Sequence, residues 1–326
     1  MMRDPRGKIF TIAMVDRAFR SRHSGKVADL MVYLLNEYGI PRYFSFFKQA
    51  ELAFFQLFGK PLAYLFVPIA RWNVRSQTKT VILPGEKGPL LRHLAERRKE
   101  GVKLNLNHLG EAILGEEEAV RRLHVYVHDL QQDSIEYVSI KISTIFSQIN
   151  LLAWDKTIEI LAERLRLLYQ TAKNHFYTHP NGEKSPKFVN LDMEEYKDLQ
   201  LTVALFKKVL SEPEFKDYSA GIVLQAYLPD SYEMQKELTE WALERVKHKG
   251  APIKIRIVKG ANLAMEQFEA SIKHWPQAPY TDKIDVDANY KRMLTYGCIP
   301  EHAKALHIGV ASHNLFDIAY ALLLRV

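Results

Sequence analysis

Arg256 and Lys259 lie three residues apart on one apolar run, IKIRIVKGANL (253–263), which ends in Gly260-Ala261 where a helical pattern of Met265, Phe268 and Ile272 begins. A strand that delivers two cations and a glycine to its own C-terminal end suits an anionic ligand that approaches backbone closely. The guanidinium of Arg256 is always charged and can fork two donors onto a carboxylate, a phosphate or the edge of a flavin. The same residues also fit a buried strand with outward charges, or an ion pair of Arg256 with Asp192 or Glu111. Lys141, flanked by apolar residues on another strand-like run, suits an imine-forming lysine, a carboxylate anchor or the buried partner of a carboxylate. Asp192 and Gln225 suit either orientation of a ligand or cross-linking of strand ends.

Other candidates carry less. His124 and His128 lie four apart, but no HExxH pattern accompanies them and a solvated helix face is expected. His175 and His179 sit in a Pro, Asn and Gly segment and read as surface loop residues. The single cysteine, Cys298, excludes an intramolecular disulfide and a thiolate cluster, and no metal site is expected. Neither GxGxxG nor GxxxxGK[ST] occurs, which disfavours a Rossmann or P-loop site. The aromatic set Tyr43, Phe44, Phe46, Phe47, Phe54, Phe55 and Phe58 is expected to pack between helices.

The elements that position these residues follow from periodicity. Residues 1 to about 80 read as helical, with Ala28, Met31, Val32 and Leu35 on one face and Gly39-Ile40-Pro41 as a stop. Thr80–Pro89 reads as a linker or long turn. Strand-like runs then appear at 103–109, 136–143, 187–193, 220–227, 253–260 and 306–313, each followed by helical periodicity. Asp230 and Glu233 suggest a capping box for the helix bearing Leu238, Trp241 and Ala242. Repeated strand–helix–strand units require a parallel sheet with right-handed crossovers, and ligands gather at its C-terminal end. Asn107 and Glu111, Lys141, Asp192, Gln225, Arg256 and Lys259, and His313 and Asn314 all fall there, one set per strand. Closure geometry favours eight strands. Either strands lie hidden in the N-terminal region, or the chain is a fragment that stops in the helix after strand six.

With 326 residues, 25% charged and 47% hydrophobic, the chain suits a parallel α/β barrel of about 250 residues plus a helical extension. Its net charge of +7 is spread over scattered basic residues, densest at Arg92, Arg97, Arg98 and Lys99. Zinc-finger spacing and a recognition helix are missing, so no nucleic-acid partner is expected. Met1–Arg22 lacks the apolar core of a secretory signal, which favours the cytoplasm. The most apolar stretch, Ala53–Ala70, is interrupted by Lys60, Pro61 and Pro68. It reads as two short buried helices or a segment on a membrane-facing surface.

The ordered series LNLNHLGEAILGE, YVSIKIS, FVNLDMEEY, AGIVLQAYLPDS, IRIVKGANLAMEQFEA, HWPQAPYTDKIDVDANYKRML and VASHNLFDIAYAL resembles the proline dehydrogenase domain of bifunctional proline utilization A proteins. The likeness runs from about Ile12 to Ala321, and TIAMVDRAFRS and YGIPRYF are similar to that family's helical arm. The resemblance implies an α/β fold: a distorted (βα)8 TIM-like barrel over 86–326, truncated after the sixth strand and preceded by a helical arm and linker over 1–85. It implies FAD-dependent oxidation of L-proline to Δ1-pyrroline-5-carboxylate, with electrons passed to a membrane quinone. Arg256 and Gln225 would meet the flavin ring, and Val258, Lys259 and Gly260 its ribityl side. Thr281, Lys283, His313 and Asn314 would hold the pyrophosphate and adenosine end. Lys141 would pair with the proline carboxylate, Asp192 would order the network, and Glu111 would pair with an arginine of the barrel's last unit. Asn107, Ala261 and Asn262 would support the substrate site.

Departures from the family pattern are specific. Asn262 and Leu263 stand where many relatives carry an aromatic pair, and Asn107 replaces an aspartate. The family's last two strands and final helix, with an arginine pair, a tyrosine and a glutamate, are not in the sequence, nor is the fused aldehyde dehydrogenase domain. A homo-oligomer and peripheral association with the inner membrane are further expectations. Two other readings remain at this stage: an aldolase-type barrel using Lys141, and a non-catalytic membrane or assembly module.

Overall fold

The computed structural model describes residues 4–78, 87–108 and 113–324, and the chain divides into two compact units, Met1–Leu90 and Leu91–Val326. The first is helical. Helix α1 (Pro5–Ala13) starts where Asp4 accepts from the Gly7 amide at 2.9 Å and Pro5 sets the first turn, and it continues into a π turn, Met14–Ala18. Helix α2 (Ser24–Tyr38) buries Val27, Ala28, Met31, Val32, Leu34 and Leu35, the face its spacing predicted, and stops at Gly39 with φ +76°. Helices α3 (Phe46–Phe58) and α4 (Ala63–Thr78) add Phe55 and Val67 to that core.

The aromatic expectation holds only in part. Phe55 is buried and Tyr43 and Phe44 are half-buried, whereas Phe46, Phe47, Phe54 and Phe58 are exposed. A helix packed on one side buries one arc, and α3 spends that arc on Leu52 and Phe55. The segment 53–70 is therefore two short helices, but not two buried ones.

Helix α5 (Lys87–Lys99), which runs across the boundary at Leu91, carries Arg92, Arg97, Arg98 and Lys99 and takes in Lys87–Pro89 from the expected turn; residues 80–86 of that turn lie outside the described residues. Proline is tolerated there because the first-turn amides need no helical partner. The alternation then runs β1 (Asn105–Asn107), α6 (Glu116–Gln131), β2 (Tyr137–Lys141), α7 (Ile142–Ile145) and α8 (Trp154–Asn174). A short hairpin follows, β3 (Phe176–Thr178) and β4 (Lys184–Pro186), and then β5 (Phe188–Asp192), α9 (Leu199–Leu210), β6 (Gly221–Gln225) and α10 (Asp230–Lys247). The last described elements are β7 (Ile253–Val258), α11 (Leu263–Lys273), α12 (Lys283–Gly297), α13 (Pro300–Ala303), β8 (Leu306–Val310) and α14 (Leu315–Leu323).

The six expected strands are β1, β2, β5, β6, β7 and β8, and they pair in that order, all parallel. Residues 4–78 contribute no strand. Two local readings are corrected. The segment around His175 and His179 is the β3–β4 hairpin, turned at Gly182 with φ +85°, and His179 Nε2 bonds Ser185 Oγ at 2.8 Å. Asp230 is the first residue of α10 and not its cap, and its carboxylate accepts instead from the Tyr196 hydroxyl at 2.6 Å. His124 and His128 are exposed on α6, as their spacing suggested.

Register decides what each face of the sheet carries. Val138, Ile140, Val189, Leu191, Ile222, Leu224 and Ile253, Ile255 and Ile257 share one face and form a single core with helical residues such as Leu161, Leu165, Phe206, Leu238 and Tyr290. On the other face the paired positions read Asn107, Ser139 and Asn190 in one row, and Lys141 beside Asp192 in the next. Val223 lies beside Arg256, and Gln225 beside Val258. The polar side chains therefore line one surface because side chains alternate along every strand.

Candidate functional site

At the C-terminal end of this face Asp192 is a hub. Its carboxylate accepts from Asn107 Nδ2 at 2.9 Å, from Asn190 Nδ2 at 2.8 Å and from the guanidinium of Arg256, tying β1, β5 and β7 together. The ion pair that the sequence offered as an alternative role for Arg256 is thus present. Burial pushes the Asp192 carboxyl above its ordinary value, against the opposing pull of Arg256, Ser139, Asn190 and Lys141.

A second cluster forms around Glu194, which sequence reasoning missed. Its carboxylate binds Lys141 and accepts from the Ser143 hydroxyl, while its backbone carbonyl accepts from Gln225 Nε2 at 3.2 Å and Asn262 Nδ2 at 2.8 Å. One residue therefore joins the ends of β2 and β6 to the start of α11. The available signal was its place two residues beyond Asp192, immediately past the strand end. An ammonium held by a carboxylate acts as a donor, which suits an anchor for a substrate carboxylate better than an imine-forming nucleophile.

The third cluster lies beyond β7. Lys259 Nζ sits 2.6 Å from Asp287 and 2.7 Å from Asp317; Asp287 also binds Lys283, and Asp317 accepts from Ser312 at 2.9 Å. Burial works against the charge of Lys259, but its hydrogen bonds to Asp287 and Asp317 hold its pKa above the ordinary lysine value. Asn314 caps α14 by accepting from the Phe316 amide at 2.9 Å. Lys259, Lys283 and Asn314 thus join one polar chain, organised by Asp287 and Asp317, two further residues that the sequence did not single out. Thr281, His313 and Ala261 are exposed, Val258 is half-buried, and Glu111 lies outside the described residues. Gly260 has φ +123°, and a Cβ there would lie 2.2 Å from the Tyr227 ring, so this turn requires glycine.

Among the buried polar atoms of the inner face without a hydrogen-bond partner are Arg256 Nε and Gln225 Oε1, with Asn105 Oδ1 and Asn190 Oδ1 on the neighbouring strands. Buried polar groups are nearly always satisfied. A donor and an acceptor on adjacent strands suit a flat heterocycle with both acceptor and donor edges, and an isoalloxazine ring has that character. Among the described residues no group of three or more His, Cys, Asp or Glu is placed to hold a metal ion, and no helix is long and apolar enough to cross a membrane.

The family model described as proline dehydrogenase matches residues 90–325, the whole of the sheet and its helices. The chain belongs to the proline dehydrogenase family. Proline dehydrogenase 2 of Bacillus subtilis is 24% identical over 264 residues, which cover 80% of this chain and 72% of that one. The solved structure of proline utilization A from Corynebacterium freiburgense is 44% identical with a TM-score of 0.71, over 78% of this chain and 25% of its own. That of Bdellovibrio bacteriovorus proline utilization A, inactivated by N-propargylglycine, is 30% identical with a TM-score of 0.69, over 98% and 32%. The chain therefore spans a quarter to a third of these two proteins. Its fold is the TIM-barrel-like α/β fold of their proline dehydrogenase domains, six parallel strands of which are described here.

Proposed function

We propose that the chain oxidises L-proline to Δ1-pyrroline-5-carboxylate with FAD, the first step of proline catabolism. The reaction removes a hydride from C5 and a proton from the ring nitrogen, leaving a C5–N double bond. Bound FAD supplies the two-electron acceptor, and a membrane quinone takes the electrons onward. Arg256 Nε and Gln225 Oε1 hold the ring, with Val258, Lys259 and Gly260 along the chain that follows it. Lys283, Thr281, His313 and Asn314 serve the pyrophosphate and adenosine end.

Lys141 leaves Glu194 to take the substrate carboxylate, exchanging one charged hydrogen bond for another. Asp192 is a positioning residue: Asn107 and Asn190 hold its carboxylate, which in turn holds Arg256. Asn107, Asn262 and Ala261 support the substrate side. Orientation and charge suffice here, since no protein nucleophile is needed. In a longer polypeptide like the bifunctional relatives, an aldehyde dehydrogenase domain consumes the product. A cytoplasmic protein held at the periphery of the inner membrane, as a homo-oligomer, suits this sequence of steps.

The observation that carries the reading is the pair of buried polar atoms without a hydrogen-bond partner on β6 and β7, Gln225 Oε1 and Arg256 Nε, the latter on the guanidinium that binds Asp192. The test is anaerobic titration of FAD-loaded protein with L-proline. Bleaching of the flavin absorption together with proline-dependent dye reduction is expected. A flavin-loaded protein that proline does not bleach refutes the reading, and borohydride trapping of a carbonyl substrate on Lys141 would replace it with an aldolase.

A further inference from the structure

The lysines and arginine of the three clusters all have an acid beside them. Arg256 has Asp192, Lys141 has Glu194, and Lys259 and Lys283 share Asp287, with Asp317 also on Lys259. Lys254 differs. It stands two residues before Arg256 on β7, hence on the same face and about 7 Å nearer the strand's N-terminal end. Among the described residues its ammonium forms neither a hydrogen bond nor an ion pair; it rests on rings, 5.4 Å from the centroid of Tyr137 and 5.7 Å from that of Phe188. Those two rings meet edge to face at 5.1 Å.

Neighbouring strands leave room for this side chain. Its partner in register on β6 is Gly221, which puts no side chain between β7 and Phe188 on β5. On β8 a Cβ at Gly309 would lie 3.1 Å from Lys254 Cε. The ammonium thus reaches past β6 to the rings of β5 and β2, away from the sheet edge at β8. The charged and titratable groups around it are Arg256 on β7, Tyr137 on β2, Lys103 and Glu136 ahead of β1 and β2, and His307, its exposed partner in register on β8. Glu136, the acid among them, is bound by Lys103 at 3.1 Å. Burial, Arg256 and Lys103 push the Lys254 pKa below the ordinary 10.5, against the pull of Glu136.

A hydride brings a neutral flavin two electrons and one proton, so the reduced ring carries one negative charge. Arg256 is already matched by Asp192, and that pair adds little net charge to meet it. On the flavin reading given above, we propose that Lys254 is the uncompensated positive charge that raises the reduction potential of a flavin held at Arg256 and Gln225. At an effective dielectric of about 20, a unit charge about 10 Å away is worth more than a tenfold step in an equilibrium.

The test is spectroelectrochemical titration of the FAD-loaded chain, which needs neither proline nor turnover. In Lys254→Met and in Lys254→Gln the equilibrium constant for two-electron reduction should fall at least tenfold, about 30 mV. Lys254→Arg, which restores the charge, should stay within threefold of the unsubstituted chain. The gap between the neutral variants and the unsubstituted chain should narrow as pH rises toward 10.5, because only the latter has this proton to lose. Neutral variants within threefold of the unsubstituted chain, an Arg variant that falls as far as they do, or a gap as wide near pH 10 as near neutrality overturns the proposal and leaves the flavin reading standing. A chain that takes up no FAD overturns both.

Discussion

Asp198 gives the sharpest quantitative expectation. It sits between β5 and α9, 5% exposed, with Oδ1 buried and without a partner, and burial pushes its pKa from 3.8 up to about 6. Lys197 opposes that shift, while Glu195, Glu194 and Glu266 add to it. Between pH 3.8 and about 6 the native protein keeps a proton that the unfolded chain releases, so stability falls as pH rises through that window. Above it, the ionised carboxylate costs about 3 kcal/mol, from roughly two units at 1.36 kcal/mol each. Asp198→Asn removes the charge at nearly constant volume. Its thermal midpoint should rise by about 6–12 °C at pH 7.5 and by about half as much at pH 5, measured by scanning fluorimetry. A gain equal at both pH values, or a loss at pH 7.5, would refute the assignment of an unsolvated charge.

Gly260→Ala should destabilise the second unit by about 2–4 kcal/mol, since both the positive φ and the Tyr227 ring exclude a Cβ; an unchanged denaturation midpoint would contradict this. Arg245 donates to the backbone carbonyls of Leu210, Phe215, Lys216, Tyr218 and Ala251. Arg245→Met should therefore cost about 3–5 kcal/mol, read by chemical denaturation, and a loss below 1 kcal/mol would mean that water replaces those bonds. Under the proposed activity, Lys141→Met should raise KM for L-proline about 10–100-fold, the worth of one charge-assisted hydrogen bond, and change kcat less. Loss of kcat at constant KM would move Lys141 from binding to chemistry.

The sequence carried the sheet well because each buried strand is short, apolar on one side and closed by polar residues, as in VSIKIS and VNLDM. The β3–β4 hairpin escaped because its three-residue strands are too short for alternation to register. Asp192, Arg256 and Lys141 could be found as charges inside apolar runs. Asp287 and Asp317 could not, because acids in helices look like ordinary solvated residues until the fold brings lysines to them, and Glu194 was marked only by its place just past a strand end. The exposed aromatics of α3 were misread for the converse reason: composition says that phenylalanine prefers burial, but only packing says how many places exist. Periodicity reports which residues share an arc and is silent on whether that arc faces a partner.

The polar inner face has a consequence for how the strands find their pairing. Slipping β7 by one position against β6 would turn Lys254 and Arg256 into the helical core and put Ile255 and Ile257 opposite Asp192. Sliding β5 would bury Asn190 and Asp192 among Leu161 and Leu165 in the same way. Each misalignment strands charges without partners, a far heavier penalty than a lost methyl contact. The residues of the polar network therefore also act as alignment marks, favouring the register that brings them together.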